Sequence, residues 1–94
     1  MIHDLNFHHL RYFWAVAHEG NLTRAAKQLH VSQSALSTQI QRLEEHLGQD
    51  LFLRQGRSLE LTEACTIALK YADDIFSLGE EMAITLTDGR AQDV

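Results

Sequence analysis

Apolar residues in the first half of the chain recur at helical spacing in three separate runs, each opened by a capping residue. Asn6 is placed to cap a helix whose inner face is Phe7, Leu10, Phe13, Trp14 and Ala17, and Gly20 ends it. Thr23 is the predicted cap of a second, short helix with Ala25, Ala26 and Leu29 inward, and Leu22 packs back just ahead of that cap. Ser32 caps a third helix, with Leu36, Ile40, Leu43 and Leu47 spaced i, i+4, i+7 and i+11, and Gly48 closes it. Only Val31 stands between the end of the second helix near His30 and the cap of the third. Helices joined by so short a turn must cross steeply, which is helix-turn-helix geometry.

The period then changes. Leu51-Phe52-Leu53 and Leu59-Glu60-Leu61 read as short strands around Gln55-Gly56, a hairpin signal. Thr62 caps a fourth helix that runs to about Asp88, and residues 89–94 read as a frayed tail. The expected organisation is a winged helix-turn-helix over residues 1–61 and a linker or dimerisation helix over 62–88. The fold class is mainly α, with a small β-hairpin wing and a long C-terminal helix.

In that last helix Ala64, Ala68, Tyr71, Ile75, Leu78 and Met82 alternate at spacings of 4 and 3, a coiled-coil seam. Ile67, Phe76 and Leu86 form a flank suited to covering the winged domain. No further helix follows to receive the seam, so the expected partner is a second copy related by two-fold symmetry. Two recognition helices would then meet half-sites one DNA turn apart or a multiple of it, selecting a pseudo-palindrome.

The net charge of −5 argues against nucleic acid until it is divided along the chain. Residues 1–57 carry six Lys and Arg against five acids, and all six His; residues 58–94 carry two bases against eight acids. The first part can face phosphates, and the second is repelled by them. The absence of Pro favours long unbroken helices. No apolar run approaches a membrane span and no signal segment opens the chain, and the single Cys suits a reducing cytoplasm.

The chemistry lies on the third helix. Its outward face near the start is Gln33, Ser34, Ser37, Thr38 and Gln41, short donors and acceptors with no charge. Amides and hydroxyls on the first turns of a second helix are what base reading in a major groove requires. Gln33 can pair bidentately with adenine, and the Thr38 methyl can touch thymine. Arg54 and Arg57 flank the hairpin glycine and suit a narrow minor groove. Thr23 and Arg24 open the second helix, where backbone N–H groups and a hydroxyl can clamp a phosphate.

These residues, taken in order, resemble the LysR-type transcriptional regulators. The resemblance is carried by Leu10-Arg11-Tyr12-Phe13, Gly20-Asn21-Leu22-Thr23-Arg24-Ala25-Ala26 and Leu29 through Ser37. It continues through Ile40, Leu43-Glu44-Glu45, Leu47-Gly48, Leu51-Phe52, Arg54 and Leu61-Thr62-Glu63-Ala64. It covers roughly residues 5–85. Tyr12-Phe13-Trp14, and the stretch from Tyr71-Ala72-Asp73 to Glu81-Met82, are similar to the sodium/proton antiporter regulator subgroup of this bacterial family. The resemblance implies DNA contacts from Gln33, Ser34, Ser37, Thr38 and Arg54, a dimer through the long helix and a tetramer of the full-length protein. It also implies an effector-binding domain that is absent from these 94 residues. Three positions depart from the family pattern: Thr38 where Arg is common, Ser34 where Pro is common, and Cys65 where Gly is common.

Other functions find less support. The six His and one Cys show no zinc spacing, so no metal or other cofactor is expected. Cys65 reads as a small packed hydrophobe, with an intersubunit disulfide only if it meets its mate across the two-fold axis. No phosphate loop, nucleophile elbow or catalytic carboxylate pair marks an enzyme, and Glu44 and Glu45 read as solvent-exposed. The alternative is a winged helix that binds only proteins, which the net negative charge would suit.

Overall fold

The computed structural model describes residues 5–55 and 58–88. The order of elements is α1 (Phe7–Glu19), α2 (Leu22–Leu29), α3 (Gln33–Leu47), β1 (Phe52–Gln55), β2 (Ser58–Leu61) and α4 (Glu63–Thr87). The strands form one antiparallel pair, with Phe52 opposite Leu61 and Arg54 opposite Leu59. Each strand is displaced slightly from the sequence expectation. Leu51 lies just ahead of β1, and its side chain is buried in the core.

Local chemistry accounts for the helix ends. The Asn6 side chain accepts from the His8 and His9 N–H groups, Ser32 from Ala35 and Thr62 from Cys65. Gly20 and Gly48 close α1 and α3 in the left-handed conformation, at φ of 72° and 70°. One cap differs from the reading above. Asn21, not Thr23, caps α2: its Oδ1 accepts from Arg24 N–H at 2.9 Å, and Thr23 lies within the helix. Asn reaches the same orphan N–H groups from one turn position earlier, and this draws Leu22 into the helix.

The core has two parts. Leu10, Phe13, Leu43, Leu51, Cys65 and Ala72 bring α4 against α1 and α3. Val16, Ala25, Ala26, Leu36 and Ile40 hold α1, α2 and α3 together, and Phe52 packs on both groups. Phe7 stands exposed instead of facing in, and Val16 is the buried residue that closes the α1 stripe. Leu47 is likewise at the surface, one turn beyond the last core layer.

The root of α4 is tied down by Thr62. Its hydroxyl donates to the Asp50 carbonyl at 2.6 Å, and its N–H donates to the Leu51 carbonyl at 3.1 Å. Higher up, Asp73 Oδ1 accepts from Trp14 Nε1 and from His18 Nε2, both at 2.7 Å. The Trp14 ring lies 5.4 Å from that of Phe76, and the Arg11 guanidinium sits 5.5 Å from the Trp14 centroid. The expected flank is therefore only partly realised. Phe76 covers the winged domain with Cys65, Leu69 and Ala72, whereas Ile67 and Leu86 are exposed. Residues 65, 69, 72 and 76 fall on one stripe of a 3.6-residue period, and 67 and 86 lie off it.

Candidate nucleic-acid interface

The turn between α2 and α3 consists of His30, Val31 and Ser32. His30 takes the left-handed conformation at φ 59°, and the Val31 N–H donates back to the Ala26 carbonyl at 3.0 Å. This reversal brings the first turn of α3 beside the first turn of α2. Gln33, Ser34, Thr38 and Gln41 are exposed on α3, and Ser37 is half-buried. None of the five carries charge, so the face offers hydrogen bonds without attracting counter-ions of its own.

These side chains already interact. Gln33 Nε2 donates to the Thr23 hydroxyl at 2.9 Å. The Ser34 and Ser32 hydroxyls lie 3.2 Å apart, and Thr38 donates to the Ser34 carbonyl at 2.9 Å. The Arg54 guanidinium donates to the Ser37 hydroxyl. The structure thus turns the Arg54 side chain from β1 toward α3, not outward along the hairpin. A guanidinium carries five N–H donors, so one bond to Ser37 does not exhaust the Arg54 fork. Arg57 and Gly56 lie outside the described residues, as do residues 89–94.

At the start of α2, Arg24 is exposed and its guanidinium is 3.7 Å from Glu19, a loose surface pair. The Arg24 N–H is already taken by Asn21, so the donors of this turn are shared between the cap and any incoming anion.

Glu44 is the residue whose role the sequence reading missed. It is half-buried, and Oε2 accepts from the N–H groups of Leu51 and Phe52 at 2.7 and 3.2 Å. It sets where β1 leaves α3, and so where Arg54 stands. Its spacing held a clue, four residues after buried Ile40 and three before Leu47. A carboxylate on the flank of an apolar stripe is partly desolvated and requires donors. Glu45, one position on, is exposed as expected.

The long helix α4 carries the expected seam. Ala64, Ala68 and Ile75 are half-buried and pack on their own domain's core, whereas Tyr71, Leu78 and Met82 are exposed. A groove of about 580 Å³ runs beside them, lined by Leu5, Leu47, Leu51, Ala64, Ile67, Tyr71 and Ile75. Cys65 points the other way, fully buried in the core. Among the described residues, no three His, Cys, Asp or Glu side chains gather to hold a metal ion, and no helix is long and apolar enough to cross a membrane.

Residues 7–66 match the family described as "Bacterial regulatory helix-turn-helix protein, lysR family". The transcriptional activator protein NhaR of Escherichia coli is 42% identical over 78 residues, which is 83% of this chain and 26% of NhaR. The chain therefore spans about a quarter of the length of that relative. Among solved structures, the BenM_DBD complex with benA site 1 DNA superposes with a TM-score of 0.82 at 37% identity, covering 89% of this chain and 98% of that one. The CbnR_DBD–DNA complex gives 0.81 at 40% identity, covering 96% of this chain and 100% of that one.

Proposed function

This chain belongs to the lysR family of bacterial regulatory helix-turn-helix proteins, and from that premise we propose that it binds a pseudo-palindromic DNA operator as a dimer. In this reading α3 enters the major groove. Gln33, Ser34, Ser37, Thr38 and Gln41 meet base edges, and Thr23 and Arg24 meet a phosphate. Arg54, held beside α3 by Ser37, would meet a phosphate at the edge of the major groove, and Arg57 would reach the neighbouring minor groove. The observation that carries the reading is the uncharged, largely exposed hydrogen-bonding face on the first turns of α3, with Thr23 of α2 bonded to Gln33 and Arg54 bonded to Ser37.

Two copies would associate through Tyr71, Leu78 and Met82 of α4, with Ala64, Ala68 and Ile75 at the edge of the contact. The support is the row of exposed apolar side chains on that helix and the groove beside it. The full-length protein would carry an effector domain beyond this chain and assemble further, as a tetramer. Thr38 leaves α3 without the arginine frequent at that position in the family, so base preference rests more heavily on Gln33.

Fluorescence-anisotropy titration tests the reading, using duplexes selected from a random library, at low and moderate salt. Wild type is expected to bind saturably and to weaken steeply as salt rises. Gln33→Ala is expected to lose about 1–3 kcal/mol of discrimination at one base pair in each half-site, the worth of one bidentate contact. A well-folded dimer that binds no duplex at low salt would overturn the proposal.

A further inference from the structure

We propose that Thr23 is a positioning residue for base readout: its hydroxyl holds the Gln33 amide in the orientation that reads adenine. The inference rests on α3 being the groove-entering helix.

Thr23 lies in the first turn of α2, yet it is not needed as a cap, because the Asn21 side chain fills that role. Its hydroxyl is instead the acceptor for Gln33 Nε2, at 2.9 Å, across the helix-turn-helix. The hydroxyls adjoining Gln33 along α3 are engaged elsewhere: Ser34 with Ser32, and Thr38 with the Ser34 carbonyl. Gln33 and Thr23 are both exposed, so the amide is oriented by this hydrogen bond and not by burial.

An amide has one acceptor oxygen and two N–H donors. With one N–H spent on Thr23, Gln33 presents Oε1 and a single N–H to the groove. That pair complements the N6 amino donor and N7 acceptor of adenine. Turned over, Oε1 would accept the Thr23 O–H, and two N–H donors would face outward, complementing the N7 and O6 acceptors of guanine. The choice is made by the one proton of the Thr23 hydroxyl. If that proton is donated to a DNA phosphate at the start of α2, the hydroxyl can only accept from Gln33. A backbone contact would thereby select a base it never touches.

The test uses the 94-residue chain and duplexes it selects from a random library. Gln33→Ala identifies the base pair read by Gln33 as the position whose preference flattens. Competition anisotropy with adenine or guanine at that position then compares wild type, Thr23→Val and Thr23→Ser. Adenine is expected in wild type. Thr23→Val, of nearly the same shape but without a hydroxyl, is expected to lower the adenine-over-guanine ratio about tenfold, and Thr23→Ser to restore it. A wild-type ratio in Thr23→Val, with the Gln33→Ala position identified, overturns the positioning role and leaves the base reader standing. If Gln33→Ala flattens no position, the reading of Gln33 fails and this inference falls with it. Should Thr23→Val fail to fold, the selected base alone decides: guanine at the Gln33 position overturns the proposal.

Discussion

Cys65 and Glu44 illustrate how neighbours rewrite a side chain's chemistry. Cys65 is fully buried among Leu10, Leu43 and Leu51, and burial, with the nearby negative charge of Glu44, pushes its thiol up to about 11. A protonated, enclosed thiol is a poor nucleophile. In the folded protein at pH 7.5, iodoacetamide labelling is expected to be slower by orders of magnitude than in urea. Rapid native labelling would mean that α4 lifts from its seat. The same enclosure keeps the sulfur from reaching a partner's Cys65, so the disulfide considered from sequence has no route in this fold. Glu44 has the opposite history. Taken from sequence as a solvated charge, it became the acceptor that holds the start of β1, because the chain reversal after Gly48 leaves two N–H groups facing it.

The helices are joined by apolar packing, and directional contacts add to it where α4 meets α1. The α1–α4 joint runs through Asp73, whose carboxyl is held below its ordinary value first by the His18 hydrogen bond and then by that of Trp14. A depressed folded-state pKa stabilises the protein above the unfolded carboxyl's value, about 3.9, and the benefit is lost as pH falls through the folded value. Urea midpoints of wild type and Asp73→Asn are therefore expected to differ above about pH 4 and to converge in stronger acid. A constant offset across that window would remove the charge from the explanation. Gly79 is the weak link further along α4. A Cβ there meets nothing within 4 Å, so Gly79→Ala is expected to stabilise by about 1 kcal/mol. Thermal denaturation would register this as a rise of a few degrees. A fall would reveal a close approach at that position in the assembled dimer.

Taken whole, the molecule measures 54 × 35 × 20 Å, and α4 accounts for much of its length. Beyond Phe76 the helix leaves its own core, and Leu78, Met82, Ile84 and Leu86 are all more than half exposed. So much exposed apolar surface on one helix fits a site of association. Ile75 is a poor probe of it, because this residue also packs within its own domain. Leu78→Asp is cleaner: at 64% exposure it does little inside one copy. Sedimentation is expected to show that Leu78→Asp shifts a dimer to monomer while far-ultraviolet circular dichroism stays unchanged. An undisturbed dimer would place the interface elsewhere. The charge division fits the proposed picture, since DNA phosphates would repel the acidic second part more than the first.

The α1, α3 and α4 boundaries, the helix-turn-helix and the polar face of α3 were legible without coordinates. They rest on short-range rules: helical period, capping residues and left-handed closures act within a few positions of one another. The cap of α2 was misplaced because Asn21 and Thr23 are both competent and only the path of the chain chooses between them. The links Thr23–Gln33, Ser37–Arg54, Glu44–Leu51 and Trp14–Asp73 could not be read in advance. Each joins residues from different elements or from an element and a loop, and sequence spacing is silent on which surfaces meet. Which α4 residues face inward had the same origin. One helix with two apolar stripes, here 65–69–72–76 and 71–78–82, is ambiguous until the rest of the core picks the stripe that fits.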